Sequence, residues 1–145
     1  MQVYQQLKNP RFLRIYSFLT SLVLSLSILL SILGVISGIL IQTIASIAIV
    51  LGTLLELFQI LIIMQLANRT DKVGWILHRF SYVTLLVMIL SFLSVVGGAY
   101  ISSFLFLGRD VMIIAVIGYT MQASFGICLS SVTYHFSLMK EAWRD

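Results

Sequence analysis

Read from its amino end, the chain alternates long apolar stretches with short polar breaks. Asn9-Pro10 offers a helix cap followed by proline at the first helical position, so a first helix is expected from about residue 10 to 38. Further apolar stretches cover about 42–67, 75–106 and 111–139. Each exceeds the ~20 residues that carry a helix across a bilayer core. Gly38 to Thr43 carries no charge, and Asn68 to Gly74 is a polar connector in which Thr70 or Asp71 can cap the next helix. Gly108-Arg109-Asp110 supplies the remaining turn, with Asp110 as its cap. The pattern predicts an all-α integral membrane protein, a single domain of four transmembrane helices.

Within each stretch the polar and small residues recur at helical spacing. On the second, Gln42, Ala45, Gly52, Glu56, Gln59 and Ala67 share an arc of roughly 100°, and Ile44, Ile47, Leu51, Leu54 and Phe58 cover the other side. One face suits protein and the other lipid. Ser27 with Ser31 and Gly34 with Gly38 form the small-residue stripe of the first helix. Ser91, Ser94, Gly98 and Ser102 do so on the third, and Ala115, Gly118, Gln122, Gly126 and Thr133 on the fourth. Lipid is as apolar as leucine, so such stripes matter because they let helices approach closely.

The stripes also repeat. A shift of 64 residues lays Ser17, Thr20, Ser27, Gly34 and Gly38 on Ser81, Thr84, Ser91, Gly98 and Ser102, and a shift of 66 lays Gly52 and Glu56 on Gly118 and Gln122. This reads as two tandem copies of one helical hairpin, packed as a bundle. Copies that start and end on the same side would be parallel repeats about an axis along the membrane normal.

Composition narrows the function classes. The 145 residues are 60% hydrophobic and 10% charged, with a mean hydropathy of +1.08, so the bilayer is the chain's solvent. The first apolar run is too long for a cleaved secretory signal, so a retained span is expected. The net charge of +4 comes from residues at the ends of the spans, which gives no support to nucleic-acid binding. It sets orientation instead: Lys8, Arg11, Arg14, Arg69, Lys72, Arg79, Lys140 and Arg144 fall on one side and Arg109 on the other, so both termini are expected in the cytoplasm. Trp75 and Trp143 would anchor that same interface. The lone Cys128 excludes an internal disulfide and reads as packing.

Glu56 is the acidic side chain that interrupts the apolar runs. A carboxyl near mid-bilayer costs a few kcal/mol even on lenient insertion scales, which marks it as a candidate functional residue. No basic residue lies at its depth, so a neutral carboxyl is expected. Gln59, Thr53 and the repeat partner Gln122 are its candidate hydrogen-bond partners, and the group would serve either as a polar clamp or as a proton or cation site. A duplicated hairpin with one retained acid resembles the rotor proteolipid of V-type ATPases, which implies an ion-carrying role for Glu56. The resemblance covers architecture and Glu56 only. Here the helices are rich in Leu, Ile and Ser rather than Gly and Ala, and the polar hairpin loop is missing at Gly38 to Thr43.

His78 and His135 fall at similar depth, as a bis-histidine haem would need, although each points roughly 150° away from its helix's small-residue stripe. No hydrolase, transferase or redox motif is present, and no cofactor is expected. The expectation is a non-enzymatic membrane protein, a small channel or transport component or a subunit of a larger complex. It would assemble with itself as a homo-oligomer, or with other membrane subunits, through Ser/Gly faces. The alternative is a membrane anchor of an electron-transfer complex holding haem or quinone near His78 and His135.

Overall fold

A computed structural model describes residues 9–105, 108–139 and 142–143, with the side chains of residues 95 and 98–112 outside that description. Four helices follow one another: α1 (Pro10–Ile36), α2 (Ile39–Leu66), α3 (Lys72–Leu105) and α4 (Gly108–Phe136). All four contain a stretch long and apolar enough to cross a membrane. At about 1.5 Å per residue the 27 residues of the shortest helix reach roughly 40 Å, beyond a hydrocarbon core of about 30 Å. The chain is a four-span membrane protein.

The starts follow local chemistry. Asn9 Oδ1 accepts from Arg11 N at 3.0 Å with Pro10 in the first turn, as the sequence predicts. Asp71 caps α3, its Oδ2 accepting from Val73 N at 3.1 Å, and Thr70 instead turns back to Asn68. Three boundaries move outward. The helix α2 begins at residue 39 rather than 42, because only Ser37 and Gly38 leave helical geometry and Gln42 Nε2 reaches back to the Ser37 carbonyl at 3.4 Å. Non-helical backbone at a membrane protein's apolar end leaves polar groups unmet, which keeps the interruption short. The helix α3 begins at Lys72, and the expected turn at Gly108 to Asp110 is already helical.

The helices pack in the ring α1, α2, α3, α4, with α1 against both α2 and α4, α3 against α4, and a much looser seam between α2 and α3. The predicted faces hold. On α2, Ala45, Gly52, Glu56 and Gln59 are buried while Ile44, Ile47, Leu51, Leu54 and Phe58 are exposed. Burial also follows the repeat: Leu13, Ser17, Thr20, Leu24 and Ser27 on α1 are matched, 64 positions on, by Leu77, Ser81, Thr84, Met88 and Ser91 on α3. The contacts between hairpin arms repeat too. Ser27 Oγ lies against Gly52, where a β-carbon would be 3.3 Å away, and Ser91 Oγ donates to the Gly118 carbonyl at 3.0 Å.

Four expectations need correction. Gly38 is no packing residue: it lies in the break between α1 and α2 with nothing within 4 Å of a β-carbon there. Ser94 is exposed and bonds its own helix, to the Leu90 carbonyl. Cys128 is exposed on α4 rather than packed inside. Trp143 is buried, not a free interfacial anchor: its Nε1 donates to the Phe136 carbonyl at 3.0 Å, and the backbone beside it pairs with Ala67 and Asn68. The expected stripe residue Gly98 lies outside the described side chains.

Candidate functional site

The centre of the bundle is polar where most cores are apolar. Glu56 sits on the buried face of α2 because the apolar residues around it claim the lipid face, and its side chain is completely enclosed. Gln122 Nε2 on α4 donates to Glu56 Oε2 at 3.4 Å and lies 3.3 Å from Thr53 Oγ1. The two residues matched by the 66-residue repeat therefore meet each other. The second carboxyl oxygen, Oε1, has no hydrogen-bond partner among the described residues. It is tucked against Gly126 of α4, where a β-carbon would come within 2.7 Å of it.

One turn further along α2, toward the end that carries Arg14 and Arg69, Gln59 continues the polar line. Its Oε1 accepts from Ser130 Oγ at 2.8 Å, and its Nε2 points at Ser17 Oγ at 3.5 Å. Ser17 and Ser130 also line a groove of about 350 Å³ between α1 and α4, together with Ser131 and His135. Above Glu56, Tyr119 meets Ser27 at 2.6 Å. Ser27 spends its own hydrogen on the Leu24 carbonyl at 2.9 Å, so the tyrosine is the donor. Gly52 makes room for that phenol, since a β-carbon at residue 52 would stand 2.8 Å from it.

Glu56, Gln59 and Gln122 are all buried, but of the partners expected for the carboxyl only Gln122 reaches it: Thr53 meets Gln122 instead, and Gln59 bonds Ser130 and Ser17. The stripe residues divide by role. Gly52 and Gly126 are forced by close side chains, Gly34 is in ordinary contact with Gln42 and Ala45, and Gly118 packs against Ser91. Ser27 and Ser31 are buried, Ser31 bonding the Ile28 carbonyl of its own helix. The histidines stand apart in character. His135 is exposed, edge-on to Tyr134, and His78 is half-buried on α3 and does not line the groove that His135 lines. Among the described residues no group of three or more His, Cys, Asp or Glu could hold a metal ion.

Sequence reasoning missed Tyr119 and Ser130 as parts of this site, and named Gly126 as a packing residue without placing it against Glu56. Tyr119 and Ser130 stand beside the residues of the α4 stripe, and which side chain faces which depends on the axial register of α4 against α1 and α2. It also missed a cavity of about 480 Å³ in the seam between α2 and α3, with Thr53 and Gln122 in its wall. Comparison of the chain with protein-family models, curated proteins and solved structures finds no match.

Proposed function

We propose that this protein is a non-enzymatic membrane transport component, acting with copies of itself or within a larger membrane complex, in which Glu56 takes up and releases a proton or cation. The observation that carries the reading is the enclosed carboxyl with one oxygen left without a partner. A clamp between hairpins would engage both oxygens, and the glutamine at the repeat position could serve as a clamp without the cost of placing an acid in a membrane. One turn from Glu56, toward the basic end of the bundle, Gln59, Ser130 and Ser17 form a hydrogen-bonded polar cluster. Basic residues gathered at that end support a cytoplasmic placement of both termini.

The test is reconstitution in liposomes. Wild-type protein should carry a proton or cation flux, and Glu56→Gln, which keeps shape and hydrogen-bonding capacity, should fold and assemble normally yet abolish it. Glu56→Leu should lose assembly as well. Unchanged flux in Glu56→Gln, or no flux in the wild type, would reduce Glu56 to a clamp.

A further inference from the structure

The seam between α2 and α3 is the loosest contact in the ring, and its cavity of about 480 Å³ falls within the range typical of small-molecule sites. Its rim is made of Ile89, Phe92 and Leu93, which are 47%, 67% and 57% exposed on the lipid-facing surface of α3. The mouth therefore opens sideways into the bilayer. The inner wall is different: Met88 and Tyr119 are buried there, and the polar groups Thr53 and Gln122 lie at its back. Tyr119 and Ser91 also line it, but each already donates its hydroxyl hydrogen elsewhere, to Ser27 and to the Gly118 carbonyl.

Behind Gln122 stands Glu56. The amide spans from Thr53 at 3.3 Å to the carboxyl at 3.4 Å, both longer than the usual 2.9 to 3.0 Å of an N–H···O bond. It is held weakly at both ends and stands between the cavity and the carboxyl. Nothing basic in the described chain stands by to neutralise an ionised Glu56. Arg79, the basic side chain furthest into a helix, is exposed and lies over the Trp75 ring with its Cζ 4.9 Å from the centroid. An inorganic cation would want several oxygen ligands, commonly six or more for a hard ion, and the cavity wall is overwhelmingly apolar. The counter-charge that fits is one carried on an apolar body.

We propose that the α2–α3 cleft binds a lipophilic organic cation that enters from the bilayer, its apolar body in the cavity and its charge reaching Glu56 past Gln122. The proposal rests on the reading of Glu56 as an ion site and names what that site takes. Charge balances in a single exchange. As the cation arrives, the carboxyl O–H bond breaks, the carboxylate pairs with the ligand, and the proton is released to water. The buried site stays neutral before and after.

The experiment uses the full chain in neutral phosphatidylcholine nanodiscs with tetraphenylphosphonium as probe, followed by equilibrium dialysis and by proton release into weak buffer. Wild-type protein should bind saturably and release one proton per cation. Two variants should each weaken binding at least tenfold: Glu56→Gln, which also ends proton release, and Ala115→Phe, which fills the cavity from α4 and leaves Glu56 in place. Neutral triphenylphosphine oxide should not compete. Absence of saturable binding by the wild type overturns the proposal, as does binding that neither variant weakens. A protein with Glu56-dependent proton flux in liposomes but no probe binding keeps the ion site and loses the organic ligand. One that binds the probe through Glu56 and Ala115 yet drives no flux keeps the cleft and loses transport.

Discussion

At residue 126 a β-carbon would come within 2.7 Å of both Cδ and Oε1 of Glu56 and within 2.8 Å of Leu24 Cδ1, so the glycine is what makes space for the carboxyl. Gly126→Ala should therefore destabilise the protein by about 1–3 kcal/mol through overpacking. At Gly38, where the surroundings are open and φ is −75°, alanine should be neutral or stabilise by about 0.4–1 kcal/mol through the unfolded chain. Thermal melts of the two variants in the same detergent check the contrast, and equal melting temperatures would contradict the packing described for Gly126. Glu56 was legible in the sequence because a charge inside an apolar run has no ordinary explanation. The hollow that receives it was not, because a glycine in a small-residue stripe does not show what lies across from it: Gly126 faces the carboxyl, and Gly38 falls in a helix break with nothing near it.

The ends of the helices carry a second device. Ala142 and Trp143 return beneath α4, with Asn68 N donating to the Ala142 carbonyl at 2.7 Å and the indole closing on Phe136. Gly74 in the first turn of α3 passes so close to the Asn68 and Ala142 carbonyls that no side chain fits. This strap ties the α2–α3 connector to the end of α4. Trp143→Ala should lower the melting temperature and raise hydrogen exchange at residues 67–74 while leaving exchange near Gln122 unchanged. A uniform rise over all four helices would mean the strap has no local role. The spans and their faces were readable because a bilayer imposes length and enforces the split between lipid and protein sides. The strap was not, since Trp143 beside charged residues has the composition of an interface anchor and its burial depends on where α2 ends.

Across the whole molecule, the four helices put Thr70 and Gly38 at opposite ends of the bundle, both exposed. If the basic end faces the cytoplasm, cysteines placed singly at these positions in a Cys128→Ala background should separate. The one at residue 38 should react with an impermeant thiol reagent in intact cells, and the one at residue 70 only after the membrane is opened. The reverse pattern would invert the orientation. The bundle's looser seam was beyond the sequence, because two helices of similar apolar make-up give no sign of how closely they will approach.

The contact between Glu56 and Gln122 bears on how such a chain could have arisen. Two separate, identical hairpins meeting about a two-fold axis would place the same residue on both sides of that contact. They could offer two acids, which at such close range cannot both ionise, or two amides, which hold no exchangeable proton. Only when both hairpins belong to one polypeptide can their sequences diverge at this pair, so that one side supplies the acid and the other a donor that steadies it. A single chain therefore holds at this pair a combination of side chains that two identical hairpins meeting about a two-fold axis cannot present there.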